Sequence, residues 1–233
     1  MTEFRPGRFQ ILPPIIKNLL IINALVFMAQ SFIPANVIDF NGLFALHTWQ
    51  SPLFKPWQFI THMFMHANLF HIFSNMFALW MFGSILENVW GPKRFLTFYI
   101  LCGLGAAFCH MVVLYFENQE LLHEFYSMSA AQQNYYLPAM EMRLNEPTLG
   151  ASGAVFGCLA AFGYMFPNTY IYLYFFLPIK AKWFVIFYAA FELYATVQSS
   201  AGDNVAHVAH LGGALAGFIM VYFWKRSRSG NRY

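Results

Sequence analysis

Three polar groups interrupt otherwise apolar stretches of this chain. They are Ser152 in Gly150-Ala151-Ser152-Gly153, His210 in Ala209-His210-Leu211-Gly212-Gly213, and His71 with Asn75 in His71-Ile72-Phe73-Ser74-Asn75. A serine hydroxyl becomes an effective nucleophile when an adjacent imidazole takes its proton, and the pair can then carry a covalent intermediate. Whether Ser152 and His210 form such a pair depends on the elements that hold them.

Composition sets those elements in a membrane. Hydrophobic residues make up 59% of the 233 residues and charged residues 10%, against about 45–50% and about 25% in a soluble globular protein. That little charge cannot cover a soluble surface, and 20% aromatic residues argue equally against disorder. Mean hydropathy is +0.48. Cys102, Cys109 and Cys158 are odd in number and all lie in apolar runs, so buried free thiols are expected and a disulfide scaffold is excluded.

Six segments can cross or nearly cross a hydrocarbon core of about 30 Å: Ile15–Ile33, Leu69–Leu86, Phe95–Phe116, Leu149–Phe166, Trp183–Val197 and Val205–Trp224. The N-terminal residues show no signal-peptide cleavage pattern, so the first span is read as retained, with Pro13 and Pro14 marking its start. Six spans put both termini on one side, and eleven of the thirteen Lys/Arg residues fall there, leaving only Lys55 and Arg143 opposite. Basic residues crowd the cytoplasmic side of membrane proteins. The expected fold is therefore an all-α six-helix bundle with cytoplasmic termini. Residues 1–14 form a cytoplasmic segment, 15–224 one membrane domain and 225–233 a basic tail. The connection Pro34–Asn68 should lie in the interface, and Glu117–Thr148 should include an amphipathic helix around Tyr126–Met142.

Depth and lateral spacing then bear on the chemistry. Counting ~1.5 Å per residue, Ser152 lies about 22 Å from the cytoplasmic end of its span, His210 about 22 Å and His71 about 24 Å. The three groups are level, several ångströms below the outer surface. Gly153, Gly157 and Ala161 recur every fourth residue, as do Ala209, Gly213 and Gly217. Such stripes of small residues let two membrane helices approach closely. If they face one another, the Ser152 hydroxyl and the His210 ring come within hydrogen-bond reach.

The segments GASGAVFG (150–157), AHLGGALAG (209–217) and HIFSN (71–75), in this order and on these spans, resemble the signatures of the rhomboid family of intramembrane serine proteases. The resemblance covers the membrane core from Trp57 to Trp224. It implies a catalytic dyad without a carboxylate, with Ser152 as nucleophile and His210 as general base and acid. It also implies an oxyanion hole lined by His71, Asn75 and the Ser152 backbone N–H, donors of the kind that each lower an acyl-transfer barrier by ~3 kcal/mol in other serine hydrolases. Phe156 matches an aromatic ring that packs on the histidine, and Glu87 a glutamate that ties helix ends together. Trp57-Gln58 stands where many members carry Trp-Arg, a departure that touches the shape of the first loop more than the chemistry.

The implied function is a serine endopeptidase cutting transmembrane protein substrates, with no cofactor, no metal, no nucleic acid and no obligatory partner besides the bilayer. For a bacterial chain the plasma membrane is expected, with the site open to the non-cytoplasmic side. The fifth span and the loop Gln198–Asn204 are candidates for a lateral gate and cap. Two other readings compete. An inactive relative would bind membrane clients without cutting them, although such relatives usually lack the serine or the histidine. A metal or haem protein could use His62, His66, His71, His207 and His210, but HExxH and HxxEH patterns are absent and no cysteine or carboxylate is expected at ligand spacing. His62 and His66 read as structural, Gly153, Gly157, Gly213 and Gly217 as packing, and Glu192 is a mid-membrane carboxyl without an assigned role.

Overall fold

The computed structural model describes residues 9–173, 176–198 and 204–230. Arg5, Arg8, Arg232 and residues 199–203 of the proposed cap lie outside the described residues. Helix α1 (Pro14–Phe32) starts at tandem prolines, whose fixed φ suits a first helical turn. Short helices α2 (Phe40–Phe44) and α3 (Gln58–Thr61) and a 3-10 turn (His62–Phe64) fold the first long connection into a layer beside the bundle. Helix α4 (Leu69–Ala78) continues through a π turn at Leu79–Gly83 into α5 (Ser84–Trp90). Helix α6 (Pro92–Ser127) runs 36 residues, and a capping box formed by Ser129 and Gln132 opens α7 (Ala130–Leu144). The core is completed by α8 (Ser152–Met165), α9 (Ala181–Gln198) and α10 (Asn204–Gly230).

Four helical stretches among the described residues are long and apolar enough to cross a bilayer: Pro14–Phe32, Leu69–Trp90, Pro92–Ser127 and His207–Arg226. Large apolar side chains such as Phe32, Phe73, Phe108, Phe187 and Phe223 are exposed around the bundle, as lipid-facing residues must be. This is a membrane protein.

Two expectations need correction. The fold is not purely helical: Tyr170–Leu173 (β1) pairs antiparallel with Leu177–Lys180 (β2) between α8 and α9. A hairpin satisfies its own backbone groups where the flanking proline, Pro167, has ended the preceding helix. The third expected span, on α6, also overshoots its expected end by a further 11 residues, from Phe116 to Ser127. The polar stretch after Phe116 continues the helix beyond its apolar part, and the next helix begins at Ala130, later than the expected Tyr126, with none of its residues buried.

The small-residue stripes do meet. A Cβ added to Gly213 would fall on the carbonyl oxygen of Gly153, and one added to Gly217 would lie 2.7 Å from the carbonyl oxygen of Gly157. Helices α8 and α10 therefore touch backbone to backbone, and on its other flank Gly153 faces Ala106 of α6. At the opposite end of the bundle the buried carboxylate of Glu87 accepts the N–H groups of Ile15 and Ile16, each at 2.9 Å. Those donors belong to the first turn of α1 and have no partner within their own helix, and the negative charge suits a helix N-terminus.

Two stability effects should follow, read as thermal midpoints in detergent. Gly213→Ala meets only backbone and has nothing flexible to displace, so it should cost about 1–3 kcal/mol. Glu87→Gln replaces two charge-assisted hydrogen bonds with at most one neutral one, and should cost about 1.5–3 kcal/mol. A midpoint unchanged in either variant would show that the contact does not bear on stability.

Candidate active site

The serine is placed by a turn that only glycine allows. Thr148 pairs with Leu46 through two backbone hydrogen bonds of 2.8 Å, and Gly150 donates its N–H to the His62 carbonyl at 2.9 Å. Gly150 then takes φ of 135°, a conformation that side-chain-bearing residues seldom adopt, and α8 begins at Ser152. A Cβ on Gly150 would lie 2.9 Å from Nε2 of His71 and 3.5 Å from Oγ of Ser152. The glycine thus permits the turn and leaves room for the His71 ring beside the serine. As the first helical residue, Ser152 presents a backbone N–H with no intrahelical acceptor.

His210 stands on α10 just after Ala209, whose carbonyl oxygen faces Gly153. Phe156, one turn along α8 from Ser152, stacks on its ring at 4.2 Å between centroids with 4° between planes. Ser152, His210 and His71 line one cavity of about 160 Å³, together with His62, His110 and Gly150. Among the described residues no hydrogen bond joins the Ser152 hydroxyl to the His210 ring. Asn75 is buried one turn beyond His71, donating Nδ2 to the His71 carbonyl at 3.1 Å, and it is not among the residues that line this cavity. A larger cavity of about 790 Å³ adjoins, bordered by Gln30, Asp39, His66 and Arg143. His71, Thr148 and Leu149 line both.

The first connection supports this wall. Gln58 is fully buried and makes four hydrogen bonds. Its Oε1 accepts from the N–H groups of His47 (3.3 Å) and Lys55 (3.0 Å), and its Nε2 donates to the carbonyls of Gly42 (3.1 Å) and Leu53 (3.0 Å). A neutral amide, matching donors and acceptors at once, thereby shapes the loop. His62 Nδ1 lies 2.7 Å from the Gln58 carbonyl. His66 is held through its backbone by Gln30 of α1, and its buried ring nitrogens have no hydrogen-bond partner among the described residues.

Sequence reasoning missed two contributors and left a third unassigned. His110 of α6 and Thr148, whose Nε2 and Oγ1 lie 2.6 Å apart, both line the smaller cavity; an imidazole within an apolar span, which marked out His71, was an equal signal at His110. Glu192 of α9 is buried, and its Oε2 lies 2.6 Å from His207 Nδ1 and 3.1 Å from His210 Nδ1. The ligand atoms of Glu192, His207 and His210 lie within 4.8 Å of one another, close enough to share a cation.

An apolar pocket carrying convergent polar groups thus lies at the N-terminus of a buried helix in a membrane protein. The chain belongs to the rhomboid family: the Rhomboid domain matches residues 53–227. It is 29% identical to the RHOMBOID-like protein 12, mitochondrial, of Arabidopsis thaliana over 93% of this chain and 59% of that protein. It is also 29% identical to the Rhomboid protein 1, mitochondrial, of Saccharomyces cerevisiae over 71% of this chain and 40% of that protein. Rhomboid protease GluP of Bacillus subtilis is 26% identical over 76% of this chain and 26% of its own length. The chain thus spans between about a quarter and three fifths of the length of these relatives.

The loop histidines give the site wall a pH dependence. Burial pulls His62 and His66 from 6.5 down to about 4, with the neighbouring His71 adding to the effect at His66. His47 moves the same way, also chiefly through burial. Between about pH 6.5 and about pH 4 the unfolded chain binds protons that the folded chain refuses, so stability falls as pH falls through that window. The thermal midpoint in detergent should drop between about pH 7 and about pH 5, and drop less in His66→Phe. Equal slopes for the two proteins would rule out His66 as a source.

Proposed function

We propose that this chain is an intramembrane serine endopeptidase acting on transmembrane protein substrates. The observation that carries the reading is the shared cavity: Ser152, His210 and His71 come from three helices and border one small space. In this mechanism Ser152 Oγ attacks the scissile carbonyl carbon while its proton passes to Nε2 of His210. The oxyanion is held by the Ser152 N–H, the His71 ring and the second N–H of the Asn75 amide. His210 then protonates the departing amine. Water next attacks the acyl-enzyme, giving a proton to His210, and ester cleavage returns that proton to Ser152. The scheme draws on no cofactor or metal.

Helix α8 supports a site sunk below the surface. Its 14 residues span ~21 Å, against a hydrocarbon core of ~30 Å. With Met165 near one boundary, Ser152 lies several ångströms inside the other. The larger cavity borders the smaller at His71, Thr148 and Leu149 and provides a route for water. Six spans with cytoplasmic termini complete the reading, with residues 15–224 as the membrane domain and the site opening to the opposite side. In a bacterium the bilayer is the plasma membrane. A substrate helix must unwind to offer its carbonyl, so targets are segments rich in small, helix-weakening residues.

The test is covalent labelling of the detergent-purified protein with a fluorophosphonate, paired with cleavage of single-span reporter proteins. Labelling and cleavage should both vanish in Ser152→Ala, and cleavage should fall at least ~10³-fold in His210→Ala, on the scale of other serine hydrolases. Labelling that survives Ser152→Ala overturns the assignment. A folded wild type that neither labels nor cleaves would favour the client-binding reading instead.

A further inference from the structure

We propose that Glu192 is a positioning residue that makes His210 a base, so that the site works through a carboxylate, an imidazole and a hydroxyl in series. The inference rests on the protease reading above and adds a member to it. Glu192 sits on α9, 3% exposed, in a helix that the six-span reading places in the bilayer, where a carboxylate is costly unless it is well partnered. Its Oε2 faces two ring nitrogens, Nδ1 of His207 at 2.6 Å and Nδ1 of His210 at 3.1 Å. An ionised carboxylate can only accept hydrogen bonds. Both imidazoles must therefore present Nδ1–H to it, and the neutral ring of His210 is left with its lone pair on Nε2. That tautomer is the one that can take a proton from a serine.

The orientation of the ring is fixed from two directions. Phe156 lies flat against its face, 4° from parallel, and the carboxylate holds its Nδ1 edge. Packing sets the plane, and the hydrogen bond sets the rotation within it. His207, one turn earlier on α10, donates to the same oxygen and holds the carboxylate in place. When Ser152 attacks, its proton moves to Nε2, its Oγ bonds to the carbonyl carbon and the ring becomes an imidazolium. The negative charge on Glu192 stabilises that cation across the bond from Nδ1. The proton on Nε2 then goes to the leaving amine as the C–N bond breaks, and Glu192 takes no proton at any step.

The same three residues could instead hold a cation. The geometry favours the metal-free arrangement, because both rings converge on a single carboxylate oxygen at hydrogen-bond distance.

The experiment measures reporter cleavage and the rate of fluorophosphonate labelling at Ser152 in wild type, Glu192→Gln and Glu192→Asp. Metal-dependence is checked with EDTA and 1,10-phenanthroline. Expected for Glu192→Gln is a fall in kcat of about 10²–10⁴-fold, by analogy with removing the acid of a serine-protease triad, with KM within about twofold and slower labelling. Glu192→Asp keeps the charge and should fall between Gln and wild type; if the Gln variant fails to fold, a kcat loss of about tenfold at constant KM in the Asp variant decides the matter. Wild-type activity should resist both chelators. A labelled, active wild type whose kcat is unchanged in these variants overturns this inference alone. Activity lost to a chelator and restored by a metal ion also overturns it. A folded wild type that neither labels nor cleaves removes the protease reading and this inference with it.

Discussion

The contact between α8 and α10 at Gly153–Gly213 and Gly157–Gly217 governs the rest of the molecule. Lipid tails are as apolar as leucine, so burial drives helices together only weakly in a bilayer, and close packing must supply the attraction. Two facing glycine rows let the backbones touch, and nothing larger fits. The residues beside these rows inherit their positions from the contact. Ser152 precedes Gly153, His210 follows Ala209, and the two come to border one cavity without a connecting loop to hold them.

Backbone groups outside regular helices pose the second physical problem. Around the site they are met by protein rather than water, as the interior of a bilayer requires. Leu46 and Thr148 pair with each other, Gly150 with His62, and Gln58 closes four bonds at once within the first connection. On the far side Glu87 performs the same service for α1. A polar framework thus frames the apolar bundle and holds the serine turn rigid.

Much of this was legible in the sequence. The glycine rows are local pattern carried on regular helices, so spacing located them, whereas the stacking of Phe156 and the tethering by Glu87 were expected from the family resemblance. The hairpin at Tyr170–Lys180 was not, because its apolar and aromatic residues carry no alternation that distinguishes a strand from a membrane-facing loop. The helix start at Ser152 could be read from the Gly-Ala-Ser-Gly segment, but the Leu46–Thr148 pairing that holds the chain ahead of it could not, because it joins residues 102 positions apart. The work done by Gln58 was hidden because its partners Gly42, His47, Leu53 and Lys55 are ordinary residues of the first connection whose convergence is purely three-dimensional. Glu192 stood out in the sequence as an expensive charge, and only the fold shows which imidazoles surround it.

The position of that carboxylate restricts how the molecule can move. It belongs to α9, while the imidazole it touches belongs to α10. On the protease reading proposed above, if α9 is the wall that yields when a guest helix enters from the lipid, swinging it far would pull the acid from its ring and silence the base. Entry and reaction would then be separate events in time. A guest would be admitted by a disarmed enzyme, and only one that lets the wall close again would be cut.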